Sequence, residues 1–162
     1  MKKQRVLSPI SMFLCGMLLG VVSRLLDIYT QNFGNIFSQF AIWILLGTLI
    51  AIYSKTKKKA MVNVLLFCIG MLITYYAVAI ITKGIYSNIF IIGWTVFAFV
   101  CPVLAFFTWM TKEQGVFPKI ISVGIVLFSV VSTILMFDRL RVYDYIINAI
   151  LIYILIFKKV KR

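Results

Sequence analysis

Two pairs of charged residues stand out in an otherwise apolar chain: Arg24 with Asp27, and Arg141 with Asp144. Each pair is spaced three apart, so on a helix both members share a face. A base and a carboxylate so placed can bind a small charged solute or hold two helices together. Arg24 and Asp27 are preceded by Gly16 and Gly20, and the steps of four, four and three put all four residues on one side of a helix. Glycines at such spacing let a neighbouring helix approach closely in a membrane. Base before acid is the weaker order along a helix, which points to an interhelical partner for Asp27, such as Arg139 or Arg141. The plainer alternative is that Arg24 snorkels to lipid phosphate while Asp27 ends the helix. Asp138, Arg139, Arg141 and Asp144 form the turn between the last two helices, and Asp144 falls in a first turn, where a carboxylate suits the positive end of the helix dipole. Asn148, four residues on, continues that polar stripe. Asn63 and Asn148 are amides inside apolar runs, expected to join helices by hydrogen bonds.

Other chemistries lack their parts. There is no histidine, which removes the commonest metal ligand and proton shuttle. Neither an H-E-x-x-H pair, a Walker A loop nor a G-x-S-x-G elbow occurs. Cys15, Cys68 and Cys101 lie in apolar runs without a disulfide framework or a CxxC pair, and read as small apolar residues. The expectation is no catalytic residue, no metal, no cofactor and no enzyme.

What must position these residues is a set of membrane helices. The chain is 63% hydrophobic and only 13% charged, with a mean hydropathy of +1.07. Its charges are separated by long uncharged stretches, five of which reach the ~18 residues a spanning helix needs. The sixth is shorter and carries Asp144 near its start. Continuous apolar runs favour helices over strands, because lipid demands a backbone satisfied from within. The fold expected is all-α, a polytopic transmembrane bundle in one domain over residues 1–162. Its six spans are 9–27, 35–54, 60–82, 87–111, 118–137 and 142–157. Pro9 and Pro118 sit at helix starts, where a missing N–H costs little, whereas Pro102 lies inside the fourth span and predicts a kink. No A-x-A cleavage site follows the first run, so it is read as a retained helix.

Orientation follows from the basic residues. With six spans, 13 lysines and arginines fall on the side holding both termini and 4 on the other, so both ends are expected in the cytoplasm. The net charge of +13 therefore reflects topology; nucleic acid is not an expected partner, because the basic blocks alternate with greasy runs rather than lining a groove. The Lys55–Lys59 block and the Lys158–Arg162 tail also suit anionic lipid. Loops and tails leave no room for a soluble domain, so ATP-driven work would require a separate energising subunit.

The stretch Gly20-x-x-x-Arg24-Leu25-x-Asp27, with Phe37-Ser38, Trp43 and Gly47 following, resembles uncharacterised small multi-spanning membrane proteins of bacteria. That resemblance covers the first third of the chain, implies a bacterial plasma membrane and supplies no activity. In topology the chain is also similar to the substrate-binding subunits of energy-coupling-factor vitamin transporters, which dock their energising module through small residues on helix one; Gly16 and Gly20 are the nearest counterparts here. The function expected first is binding or transport of a small solute at an outward-facing polar site made by Arg24, Asp27, Arg141 and Asp144. The second is an accessory or immunity-type protein that contacts a membrane partner through its helices.

Overall fold

Ser8 opens the first helix by accepting a hydrogen bond from the Ser11 amide at 3.1 Å, and Pro9 fills the first turn. The structure is a computed structural model that describes residues 7–30, 37, 40–83, 88–158 and 160. The terminal basic residues Lys2, Lys3, Arg5, Lys159, Lys161 and Arg162 lie outside the described residues, as do Ser38, Asn35 and Ser87 at or near expected span starts. Helices α1 (Pro9–Tyr29), α2 (Phe40–Tyr53), α3 (Lys57–Ile81), α4 (Asn88–Met110), α5 (Val116–Phe137) and α6 (Val142–Ile152) follow in order, and Tyr153–Phe157 extends α6 as a π-helical turn. No strand occurs among the described residues.

Local chemistry accounts for several of the helix bounds. Helix α3 begins three residues early because Thr56 caps it, accepting from the Lys59 amide at 3.2 Å, so Lys57, Lys58 and Lys59 are helical. Gly115 enters α5 at φ +129°, a conformation that L side chains rarely adopt. At the other end of α5, Asp138 takes a left-handed conformation and donates its amide to the Ile134 carbonyl at 2.8 Å. Helix α4 continues through Pro102, which removes the bond to the Ala98 carbonyl.

Among the described residues four helices, α1, α3, α4 and α5, are long and apolar enough to cross a membrane, and α2 and the α6 segment through Phe157 are shorter. Helix α2 is nonetheless central. It packs on α3, α4, α5 and α6, with Ala41, Ala51 and Ile52 fully enclosed, as befits a helix apolar on every side. Helix α1 instead lies at one edge, and its main interface is with α3.

The distribution of polarity is that of a protein solvated by lipid. Side chains such as Ile89, Leu135 and Ile81 are about four-fifths exposed, while Asn63, Ser129, Thr133 and Asp144 are buried. An apolar exterior of this extent marks a membrane surface. Four inner hydroxyls are satisfied one turn back: Ser54, Thr108, Ser122 and Thr133 each donate to the carbonyl four residues earlier at 2.8–2.9 Å.

Contacts also identify one end of the bundle. Asn63 donates its amide to the Ser54 hydroxyl at 2.9 Å and to the Leu7 carbonyl at 3.4 Å, while Trp109 donates to the Ser54 carbonyl at 2.9 Å. Lys57 pairs with Glu113 at 3.0 Å, and Lys158 lies over the Tyr53 ring. Both ends of the described chain therefore share a face with the Lys55–Lys59 block.

Candidate functional site

Closest packing lies between α1 and α3. A Cβ on Gly16 would overlap the Phe67 carbonyl, and one on Gly20 would overlap Thr74 and the Met71 carbonyl. Gly70 completes the seam from the other side, where a Cβ would come within 2.5 Å of the Phe13 carbonyl. With the backbones this near, Thr74 donates across the helices to the Met17 carbonyl at 2.8 Å. Gly16 and Gly20 thus both lie against α3 of the same chain.

This seam leads to Arg24 and Asp27, as the spacing implies. The Tyr75 hydroxyl donates to Asp27 Oδ2 at 2.7 Å and accepts from Arg24 Nη1 at 3.3 Å. The guanidinium sits 5.4 Å from the centre of the Tyr75 ring and 3.8 Å from the carboxylate. One interhelical partner of Asp27 is thus a tyrosine of α3. Tyr75 was not singled out by sequence; a tyrosine near the end of an apolar helix also fits an interfacial anchor.

Arg141 and Asp144 form a second, separate arrangement. Asp144 Oδ2 accepts the Arg141 backbone amide at 2.8 Å, which closes the first turn of α6. The Arg141 guanidinium donates to the Tyr143 hydroxyl at 2.6 Å. Asp144 has no exposed surface, and its Oδ1 has no hydrogen-bond partner. Asn148 donates to the Asp144 carbonyl at 2.8 Å, a bond within α6 where one between helices was expected. Helix α1, which carries Arg24 and Asp27, packs chiefly on α3, whereas α6, which carries Asp144, packs on α2 and α5.

A cavity of about 350 Å³ opens between α2, α3, α4 and α5, within reach of Trp43, Phe67, Trp94, Phe97 and Phe128. None of the four charged residues lines it. Gly47 and Gly124 face it, and a Cβ on either would meet no atom within 4 Å. Its few polar groups include Thr48, Thr108, Cys68 and Cys101. Trp43 is held in place by its indole N–H, which donates to the Phe37 carbonyl at 2.7 Å.

At the basic end, Lys112 donates to the carbonyls of Ile154, Leu155 and Lys158. The ammonium supplies these carbonyls with hydrogen bonds and with a charge suited to a helix C-terminus. Among the described residues no group of three or more His, Cys, Asp or Glu side chains could hold a metal ion.

The chain matches, over residues 2–160, the model of a family of unknown function, DUF6518, and belongs to that family. The match agrees with the expected resemblance to an uncharacterised family and covers nearly the whole chain. No curated protein and no solved structure matches it.

Proposed function

We propose that this member of a family of unknown function crosses the bacterial plasma membrane six times and binds a small apolar solute in the cavity between α2 and α5. The basic end of the bundle faces the cytoplasm in this reading, because the lysine blocks gather there. Supporting six crossings, the two described chain ends share that face. The two shorter helices, roughly 21 and 24 Å long at 1.5 Å per residue, pack against each other beside longer neighbours.

One observation carries the solute reading: a void of about 350 Å³, walled by aromatic rings, into which two glycines present no side chain. Small-molecule sites occupy roughly 300–1,000 Å³ and are predominantly apolar with a few polar groups. The solute site moves accordingly from the charged residues to the cavity. Arg24 and Asp27 act as a clamp between α1 and α3. Gly16 and Gly20 are occupied by α3, which takes from the accessory-protein alternative the surface it relied on. Movement of the solute against a gradient would call for a separate energising subunit.

The test is native mass spectrometry of the full chain released from membranes, alongside Gly47→Leu and Gly124→Leu, whose side chains fill the void. The reading predicts an apolar adduct on the unaltered protein that both variants lose while remaining folded. An adduct retained by the filled variants, or none from any membrane source, overturns it.

A further inference from the structure

The cavity between α2 and α5 is open on one side. Of the side chains around it, Leu104, Phe107 and Phe128 are two-fifths to half exposed, and Gly124 presents bare backbone beside them. All four belong to α4 or α5. No residue that α2 or α3 contributes to the lining is as exposed, and Thr48 and Phe67 are each 3% exposed. The helix packing explains the gap: α4 packs along α3 but touches α5 only sparsely, and Gly124 has no side chain to close the seam. The mouth therefore lies between α4 and α5.

Its depth follows from the helical rise. Leu104 and Phe107 stand six and three residues before Met110, and Gly124 and Phe128 stand eight and twelve after Val116. At about 1.5 Å per residue these positions lie roughly 5–18 Å from the basic end of the bundle, chiefly within the nearer half of a hydrocarbon core about 30 Å thick. What borders the mouth at that depth is lipid tail, not water or headgroup.

Inside, the lining runs along α4 from Trp94 to Thr108, roughly 21 Å of helix. A volume of about 350 Å³ drawn out over that length is a slot rather than a round chamber, which suits a flexible chain. Among the described residues no charged side chain lines it. Moving a chain from lipid into such a slot brings no hydrophobic gain, because tails are as apolar as leucine. The gain is dispersion: a wall that faces empty space forfeits contacts, and an inserted chain restores them.

We infer that the apolar solute proposed above, on whose binding this rests, is an acyl chain of a membrane phospholipid, entering sideways from the cytoplasmic leaflet between α4 and α5. Thr48 reports its presence, because a residue so enclosed meets a lipid chain only inside the cavity.

The experiment places the full chain in nanodiscs containing a phospholipid with a diazirine midway along one acyl chain, then irradiates and maps the labelled peptides by mass spectrometry. Exposed residues such as Val96 and Leu127 take label from the surrounding lipid, and residues 47–48 of α2 take it from the slot. Gly47→Leu and Gly124→Leu, which fill the slot and its mouth, lower the α2 label about tenfold, as overpacking by a side chain implies, and leave the outward label unchanged. A diazirine on the headgroup in place of the chain leaves α2 unlabelled. Label confined to the outward residues overturns the acyl-chain assignment. So does an α2 label that both variants retain in full, or that the headgroup probe produces equally. Where the variants do not fold, the two probes compared on the unaltered chain decide. Native mass spectrometry separates this from the broader reading: a non-lipid apolar adduct with α2 unlabelled refutes the acyl chain and keeps the cavity as a binding site, whereas absence of both refutes the two together.

Discussion

Replacing Gly16 by alanine tests the α1–α3 seam with a single added methyl. The new Cβ lands inside the contact radius of the Phe67 carbonyl oxygen, a backbone atom of α3 that cannot rotate aside. Ordinary contact begins at 3.4 Å, so the two helices must separate by more than an ångström. Membrane helices are held by van der Waals packing and interhelical hydrogen bonds rather than by a hydrophobic drive, and both decline as the gap widens. The Thr74–Met17 bond, 2.8 Å long, is stretched at the same time. Overpacking costs about 1–3 kcal/mol, whereas exchanging glycine for alanine in a helix favours the helix by up to about 1 kcal/mol. The expected net effect is destabilisation by about 1–2 kcal/mol. Gly47→Ala and Gly124→Ala are matched controls, because their methyls enter open space and leave only the favourable helix term. Unfolding in mixed micelles, followed by circular dichroism, gives the three free energies. If Gly16→Ala is tolerated as well as Gly47→Ala, the close approach of α1 and α3 is wrong.

Two further outcomes follow from the polar contacts. Tyr75→Phe removes the hydroxyl between Arg24 and Asp27 and lowers stability by about 1 kcal/mol, within the range of interhelical hydrogen bonds in membranes. A double-mutant cycle with Asp27→Asn shows the two losses to be non-additive, whereas additive losses refute the clamp. Lys112→Met leaves the carbonyls of Ile154, Leu155 and Lys158 without their donor; amide exchange at Ile156 and Phe157 rises while that of α3 is unchanged.

Features that repeat along one helix were legible in the sequence, and features made between helices were not. The Gly16–Gly20–Arg24–Asp27 face follows from spacing within 12 residues, and α1 carries it as expected. Tyr75 lies 48 residues from Asp27, and nothing in either segment says that α1 packs on α3. Gly70 was passed over for the same reason: a glycine inside a helix gains meaning only from the backbone opposite it. The partners of Asn63, Ser54 and Leu7, lie just beyond the ends of α2 and α1 and depend on which helix ends meet. Asp144 was legible as a helix-start carboxylate, whereas its complete burial depends on the neighbours of α6. Lys112 read as one of the cytoplasmic charges; its reach to a π-helical turn more than 40 residues away requires the unusual geometry of that turn. The cavity has no sequence signature, since it consists of space that Gly47 and Gly124 leave unfilled.

Labelling of single cysteines in intact cells tests most directly whether the bundle lies across the membrane with its basic end inside. In a chain with Cys15, Cys68 and Cys101 replaced, the exposed positions Lys83, Asp138, Lys55 and Glu113 are changed to cysteine one at a time. Lys83→Cys and Asp138→Cys react with an impermeant thiol reagent added outside, and Lys55→Cys and Glu113→Cys react only after the cells are opened. Labelling of Lys55→Cys from outside, or protection of Asp138→Cys, contradicts the account.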